Sequence, residues 1–317
     1  MIKSVTIINH LGESCKITLN DSEPAHGLMV TKITGIGPGE AQINDSDYAT
    51  NDGSEFNSAR LSSRSIQITI LLSDEYPPMT IEKARHNAYR YLPVKKQVRL
   101  IFETDERNLY IDGRVEKNVP DIFSPSESLS IDIKCSDPYF YKYIPGSLDS
   151  TESIDIMSIL PAFEFTYDEN VDDGELENPY EVGEYAAPGD LITTVVYDGE
   201  VENGFVGKIT LNGELQGDIV LSRYQRLEYF RIFRDRLLTL VGSLNTGDVI
   251  EFSTEPKHCY CKIIQNGIET NVLNAVDLVN STWMTLNPGE NTFVYAILNG
   301  SDNTQLELIY KTLFQGV

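Results

Sequence analysis

Turn-forming dipeptides constrain the fold of this 317-residue chain more than any other feature. Four Asn-Gly pairs begin at Asn203, Asn212, Asn266 and Asn299, and four Asp-Gly pairs begin at Asp52, Asp112, Asp173 and Asp198. Both central residues of a type I′ hairpin turn need positive φ, which Asn, Asp and Gly adopt most readily. The chain is therefore predicted to consist largely of β-hairpins.

Short runs of alternating apolar and polar residues accompany many of these turns, as expected for strands with one buried face. The predicted strands are Ser65–Leu72, Val98–Phe102, Leu109–Ile111, Leu129–Cys135, Leu191–Tyr197, Gly207–Leu211, Asp248–Ser253, Tyr260–Ile264 and Gln305–Tyr310. Together with the turns they predict an all-β fold.

One helix is predicted in the first half of the chain. Thr80 is a good N-cap residue, and Pro93 stops the helix. Ile81, Ala84, Ala88 and Tyr91 recur at helical spacing on one face. A second segment, Arg223–Leu240, has helical apolar spacing but also the aromatic residues typical of strands, so its sequence leaves both structures open.

Length and charge indicate two domains. A chain of 317 residues exceeds the usual size of one small domain. Residues 1–140 carry 15 Lys/Arg against 20 Asp/Glu, a net of −5, whereas residues 141–317 carry 10 against 28, a net of −18. Because Pro138 cannot continue a central strand, we predict a first domain over residues 1–137 and a second over 138–317, with an acidic insertion near 168–202.

The acidic insertion and the Arg-rich segment after it suggest mutual pairing. Residues 168–202 contain 12 Asp/Glu and no Lys or Arg, whereas Arg223, Arg226, Arg231, Arg234 and Arg236 follow closely. We predict that the insertion is a loop outside the packed core, with one strand inside it. Part of it is expected to pair with these arginines in the same or a neighbouring subunit.

Composition excludes several classes of partner. The net charge of −23 repels nucleic acid and anionic lipid, so neither is expected as a partner. No run of about 18 apolar residues predicts a membrane span, and the N-terminus lacks the features of a signal peptide. The four scattered cysteines suit reduced thiols of a protein made in the cytoplasm.

Candidate chemical sites are weak throughout the sequence. Gly35–Gly39 lacks the Lys-Ser/Thr ending of a phosphate loop and predicts a surface loop. His258–Cys261 offers three soft ligands, with Cys259 and Cys261 on one strand face, but no second ligand pair accompanies it. The acidic insertion lacks the spacing of a calcium loop, and no histidine stands in a catalytic motif. We therefore predict no catalytic, cofactor or metal site, and no enzymatic activity.

The segment around the only tryptophan, Trp283, predicts a hairpin. Asn287–Asn291 has Pro at the second turn position and Gly289 where positive φ is needed. Phe293, Tyr295 and Ile297 then share one face of a returning strand. Because a lone Trp on an alternating strand usually fills a core, Trp283 is predicted to be substantially buried.

The order and spacing of these motifs resemble one family. The first half resembles the N-terminal domain of the distal tail protein (Dit) of long-tailed, non-contractile bacteriophages. The matching segments are Ile33–Pro38, Asn51–Phe56, Arg64–Ile70, the helix with Glu82 and Arg85, Tyr110–Glu116 and Ile133–Phe140. The second half is similar at Gly247–Thr254, Trp283–Asn291 and Tyr310–Val317. Residues 168–202 and the Arg-rich segment match nothing in the family.

The resemblance implies both an architecture and a function. It implies a ring-forming, β-rich N-terminal domain followed by a galectin-like jelly-roll β-sandwich. It also implies a non-enzymatic virion protein of the phage tail tip, the baseplate hub, assembled as a homo-hexameric ring. Its partners would be the major tail protein of the tube, the tail-associated fibre or lysin protein and receptor-binding proteins.

Two other classes of function stay open. A carbohydrate-binding module that helps attach to the host surface would present solvent-facing aromatic residues. Trp283 and the tyrosines of Tyr139–Tyr143 are the candidates, although cores or interfaces also use such residues. A hydrolase of the host cell wall is the other class, and no motif favours it.

Overall fold

We describe the chain from a computed structural model. It describes residues 1–18, 25–74, 80–147, 150–157, 165–167, 180–182, 191–223, 226–298 and 304–317. The chain forms two compact units, one of Met1–Ser150 with Thr312–Val317 and one of Thr151–Lys311.

Unit 1 consists of strands, one 3-10 turn and one α-helix. Its elements are β1 (Ile2–Ile8), β2 (Ser14–Thr18), a 3-10 turn (Ala25–Gly27), β3 (Leu28–Thr34), β4 (Ala41–Asp47), β5 (Ser54–Leu61), β6 (Arg64–Leu72), α1 (Ile81–Tyr91), β7 (Gln97–Thr104), β8 (Asn108–Asp121), β9 (Ser128–Cys135), β10 (Phe140–Lys142) and the late strand β23 (Leu313–Phe314). Except for β4 and β5, the strands form one sheet in the order β2-β1-β7-β8-β9-β6-β3, with β10 paired to β8 and β23.

The core of unit 1 lies on one face of this sheet and follows the sequence alternation. In β6, Ile66, Ile68 and Ile70 are fully buried, and β9 contributes Leu129, Ile131 and Ile133 in the same way. Helix α1 packs its buried Ala84 and Ala88 into the same core. The helix prediction is confirmed, because the Thr80 hydroxyl accepts a hydrogen bond from the Lys83 amide at 3.2 Å.

The boundary predicted at residue 137 differs from the division of the structure. Strand β9 does end at Cys135, as Pro138 suggests. The chain then forms β10, which pairs Tyr141 with Tyr110 of β8, so residues 138–150 belong to unit 1. Residues 312–317 join them through β23, a return of the chain that no local pattern in the sequence reveals.

Unit 2 is built mainly from two antiparallel sheets. Its elements are β11 (Glu152–Met157), β12 (Phe165–Tyr167), β13 (Tyr180–Val182), β14 (Leu191–Tyr197), β15 (Phe205–Leu211), β16 (Asp218–Arg223), β17 (Glu228–Ile232), α2 (Arg234–Val241), β18 (Val249–Ser253), β19 (Tyr260–Gln265), β20 (Ile268–Asn271), a 3-10 turn (Leu273–Ala275), β21 (Gly289–Leu298) and β22 (Thr304–Tyr310). One sheet has the order β11-β22-β15-β18-β19-β20 and the other β14-β21-β16-β17, while β12 pairs with β13.

The two larger sheets of unit 2 share one core. Ile209 and Leu306 come from the first sheet, Leu221 and Phe293 from the second, and all four are buried in one cluster. Two sheets packed over a common core form a β-sandwich. The predicted all-β fold is therefore confirmed, whereas its galectin-like jelly-roll type stays a prediction.

The ambiguous segment Arg223–Leu240 contains both kinds of structure. Strand β17 buries Phe230 and Ile232, and α2 begins directly afterwards and buries Leu237. The helical spacing and the aromatic residues were thus signals from adjacent elements. Of the turn pairs, Asn266-Gly267 joins β19 to β20 with φ of 50° and 80°, as predicted.

Asp112-Gly113 does not form a turn, contrary to the prediction. Both residues lie within β8, and Gly113 packs under β9. A Cβ at this position would lie 2.6 Å from Cγ2 of Ile133. The glycine therefore serves a close approach between strands rather than a turn.

The hairpin predicted around Trp283 is also wrong in its first half. Residues 281–288 form no strand, and Leu286 makes an isolated bridge to Asn203. Gly289 has the expected positive φ of 90°, and the returning strand β21 buries Phe293 and Tyr295. The Asn291 side chain fixes this corner by bonding to the Asn287 amide at 2.9 Å and the Asn287 carbonyl at 2.7 Å. These hydrogen bonds of the Asn291 side chain take the place of the strand that was predicted before the turn.

Candidate assembly interface

A long hairpin in unit 1 is the most unusual feature of the surface. Strands β4 and β5 pair only with each other among the described strands, apart from the nine-stranded sheet. Gly53, with φ of 101°, lies in the loop that joins them, as the Asp52-Gly53 pair predicts. We call residues 41–61 the arm. With strands of seven and eight residues, it extends about 25 Å.

The arm is exposed on both faces. Every residue of β4 and all of β5 except Leu61 are exposed. Ile43 and Phe56 are 61% and 63% exposed. An isolated two-stranded hairpin is at best marginally stable in water unless another surface covers it. The sequence does not predict an arm at Asn51–Phe56, because its strands are mainly Ser, Asn, Asp and Glu, with no apolar alternation.

The arm is also acidic. It carries Asp45, Asp47, Asp52 and Glu55 but a single cation, Arg60, which donates to the side-chain oxygen of Gln42 at 2.9 and 3.1 Å. The carboxylates cluster toward the tip, beyond Arg60. A basic surface would complement this tip.

Arg64 anchors the base of the arm. Its side chain is buried, and the guanidinium donates to the carbonyls of Gly35 at 2.9 Å, Pro138 at 2.8 Å and Gln315 at 2.7 Å, and also to that of Gly37. Loss of solvent lowers the pKa of this guanidinium from its usual value. One side chain thus joins the start of the arm to the C-terminal residues.

The predicted surface loop Gly35–Gly39 forms the other part of this base. Gly35 has φ of 82°, and a Cβ there would lie only 2.1 Å from the Ser65 carbonyl oxygen. The amide of Val317 donates to the Ile36 carbonyl at 3.0 Å. The backbone of the loop packs closely against its neighbours, and the loop shows no arrangement that would bind phosphate.

Trp283 is mostly buried, as predicted, and lies at the edge of the unit 2 core rather than at its centre. Its ring packs at 5.2 Å from that of Phe230, at the margin of the unit 2 core. Met284 and Leu286, on the alternate positions, are fully buried instead. The other suggested aromatic platform, Tyr139–Tyr143, belongs to unit 1, where Tyr141 stacks on Tyr110 at 5.4 Å.

The soft ligands of His258–Cys261 do not converge. Cys259 is exposed ahead of β19, whereas Cys261 is buried within it, so they do not share a face. Burial raises the pKa of Cys261 to about 12, which keeps it a protonated thiol. In the described part of the chain, no three His, Cys, Asp or Glu side chains group as metal ligands would.

The Arg-rich segment finds partners outside the acidic insertion. Arg231 binds Asp218 at 2.5 Å, and Arg234 lies near Glu214 and Asp235 at 3.9 and 3.4 Å. Buried Arg223 lies 3.4 Å from Glu228. In the described part of the insertion, the Glu202 carboxylate interacts electrostatically with Arg223. Residues 168–179 and 183–190 lie outside the described residues, so pairing with them stays a prediction. Within the insertion, the predicted strand Leu191–Tyr197 is confirmed as β14. It buries Val195 and Tyr197 in the unit 2 core, so the prediction that the insertion lies outside the core is wrong for this strand.

Two grooves on unit 1 show no catalytic arrangement. One, of about 400 Å³, is lined by Thr6, Lys16, Glu103 and Tyr143 among others. Hydrogen bonds from Lys16 and Ser4 lower the pKa of Glu103, so this carboxylate is a poor proton acceptor. In the other, Arg99 holds Asp112 through bonds of 2.7 and 2.8 Å. The carboxylates in both grooves are engaged in ion pairs.

Comparison with solved structures gives a match over nearly the whole chain. The Dit protein (gp 19.1) of phage SPP1, described as a paradigm of the hub adsorption apparatus in phages that infect Gram-positive bacteria, superposes with a TM-score of 0.58. The match covers 97% of this chain and 98% of that one at 12% sequence identity. This chain has the fold of the SPP1 Dit protein. The resemblance inferred from short motifs is thereby confirmed at the level of the fold.

Further comparisons add no independent support. Structures of the phage P2 baseplate in its activated conformation, with Ca and with Sr, match at TM-scores of 0.41 and 0.39 and 10% identity, over 98% of this chain. They cover 99% and 98% of the matched chains, but scores this low carry no argument. No protein-family model matches the sequence, and no curated protein matches it. None of the helices in the described residues is long and apolar enough to cross a membrane.

Proposed function

We propose that this protein is a structural component of a phage tail tip, the baseplate hub. In this role six copies form a ring through unit 1. The ring joins the major tail protein of the tube to the tail-associated fibre or lysin protein and to receptor-binding proteins. The observation that carries the proposal is the SPP1 Dit fold over 97% of the chain, at 12% identity.

The exposed arm supports an assembling role independently of that comparison. A hairpin of two strands with both faces in solvent needs a covering surface. A ring supplies one, because each subunit in a closed cyclic assembly presents its arm to a neighbour.

Measurement of the native mass tests this proposal. Light scattering and negative-stain imaging of the purified full chain should show a hexameric ring whose population rises with concentration. Antibody labelling of virions should place the protein at the tail tip. A protein that stays monomeric at high micromolar concentration, and that labels no tail tip, contradicts the proposal.

A carbohydrate-binding role for unit 2 is the second candidate. Trp283 is only partly buried, and a sugar-stacking platform requires an aromatic side chain that is not enclosed. Binding of the full chain to a glycan array, lost in Trp283→Ala without loss of folding, would support this role. An array without signal would remove it and leave the hub proposal intact.

A further inference from the structure

The outer face of the unit 1 sheet carries a group of cations that find no carboxylate partner. Arg114 and Lys117 of β8 and Lys134 of β9 are exposed on the face opposite the core. We call these three residues the basic patch. Among the described residues, none of the three forms an ion pair. Lys95 and Lys96, in the adjacent turn, are also exposed.

The register of the strands makes this patch unfavourable in an isolated subunit. Arg114 lies directly opposite Lys134 on neighbouring strands. Like charges in directly opposed positions of a sheet repel and destabilise the pair. The nearest acids are Glu116, exposed in the bulge between Arg114 and Lys117, and Asp132, opposite Lys117. In a chain with a net charge of −23, this cationic surface is an exception that an anionic partner would relieve.

The arm has the complementary chemistry. Its tip presents Asp45, Asp47, Asp52 and Glu55, none of which forms an ion pair among the described residues. The arm lies between β3 and β6 in the chain. In the sheet, β6 and β8 flank β9 on opposite sides, so the arm begins and ends on the side of β9 away from β8. The two surfaces therefore differ in sign and in position on the same sheet. Two different patches on one subunit are what a head-to-tail contact in a closed ring requires.

We propose that the acidic arm of one copy docks on the basic patch of the next copy. This inference rests on the proposed ring and specifies its contact. The carboxylates of the arm pair with Arg114, Lys117 and Lys134, while the apolar side chains of the arm, such as Ile43 and Phe56, supply contact area. Electrostatic complementarity of this kind gives the contact its register and its direction.

A second copy fits the patch better than nucleic acid does. The partner must be anionic, and the arm supplies that charge at equal stoichiometry in every copy. Nucleic acid would have to overcome the repulsion of a strongly acidic protein. The arm also needs a covering surface of its own, so one contact satisfies both requirements.

Two charge-reversal variants of the full chain test the contact. The arm variant carries Asp45→Lys, Asp47→Lys and Glu55→Lys, and the patch variant carries Arg114→Glu, Lys117→Glu and Lys134→Glu. Because all six positions are exposed, folding should be unaffected. Control variants reverse three exposed charges elsewhere: Glu106→Lys, Asp155→Lys and Glu290→Lys for the first, and Lys83→Glu, Arg226→Glu and Lys257→Glu for the second.

Assembly is measured by light scattering against protein concentration. Each test variant should need at least about tenfold more protein than wild type to form half of the ring, whereas the controls should not. An equimolar mixture of the two test variants should assemble again. Each lysine-bearing arm would meet a glutamate-bearing patch, and each unchanged arm an unchanged patch, in alternation around the ring.

The outcomes separate this contact from the ring itself. Rings that persist in both test variants overturn the arm-to-patch contact and leave the proposed function standing. Failure of the mixture to assemble, when each variant alone is monomeric, also overturns the contact. A patch variant that assembles normally but loses binding of a DNA oligonucleotide assigns the patch to nucleic acid instead. A monomeric wild type overturns the ring and this contact together.

Discussion

The arm of unit 1 and strand β21 of unit 2 are built from similar sequence signals but have opposite burial. Strand β5 of the arm comes directly after Gly53, and β21 begins at Gly289, and both glycines have positive φ. Phe56 of the arm is 63% exposed, whereas Phe293 of β21 is completely buried. Both lie on extended strands, so local backbone preference does not explain the difference.

The residues on the same face explain it. Phe293 shares its face with Tyr295 and Ile297, which together cover a second sheet. Phe56 shares its face with Ser54 and with Asp45, its partner across the hairpin, and both have little apolar area to bury. A strand is held within its own domain by the total apolar area that its face buries, and the arm buries little. Strands such as β21 therefore stabilise the fold, whereas the strands of the arm are those proposed to form the contact between subunits.

Truncation of Phe293 should give the largest effect. The ring packs edge-on to Phe205 at 5.7 Å, so Phe293→Ala leaves a cavity between the sheets of unit 2. We expect a loss of about 3–5 kcal/mol in the free energy of unfolding. Urea unfolding followed by the fluorescence of Trp283, the only tryptophan, measures it in the same unit. Val294→Ala, on the outer face, is the control, and equal midpoints for the two variants would contradict the assignment.

Removal of the Arg64 guanidinium should come next. Arg64→Met deprives four backbone carbonyls of their donor, and we expect unit 1 to lose about 2–3 kcal/mol. Hydrogen exchange of the Val317 amide, bonded to Ile36, should accelerate in step. Arg60→Met, on the exposed arm, should leave that exchange unchanged. Unaltered exchange in Arg64→Met would show that the base of the arm does not depend on this side chain.

Trp283 should contribute less than its size suggests. Because the indole is partly buried at the margin of the core, Trp283→Ala should cost only about 1–2 kcal/mol. Leu286→Ala, at a fully buried position nearby, should cost about 2–5 kcal/mol. Thermal melts compare the two by circular dichroism. A larger loss for Trp283→Ala than for Leu286→Ala would show that the indole contributes as much as a fully enclosed core residue.

The sequence predicted what depends on near neighbours in the chain. The cap at Thr80, the strand of β6 and the buried face of Phe293 each follow from residues within one element. Gly113 could not be interpreted in this way, because the need for a glycine there comes from the close approach of Ile133 on another strand. Leu286 shows it again, since its bridge to Asn203 replaces a local hairpin.

The candidate site was less predictable than the fold for the same reason. The arm appears in the sequence only as a turn between polar strands, and the basic patch joins residues 20 positions apart, Arg114 and Lys134, through strand register. The anchor of Arg64 on the Gln315 carbonyl spans almost the entire chain. Such long-range pairings follow from sheet order, which short motifs do not encode.

Phe56 provides the smallest effect on folding and the sharpest test of the comparison. Since its ring is mostly in solvent, Phe56→Ala should change the free energy of unfolding by no more than about 0.5 kcal/mol. If the arm is covered by a neighbouring subunit, the same substitution should weaken ring formation several-fold in light scattering. Ser54→Ala, on the same face, is the matched control and should alter neither quantity. Strong destabilisation of the monomer by Phe56→Ala would mean that the arm packs on its own subunit, and the contrast with Phe293 would then fail.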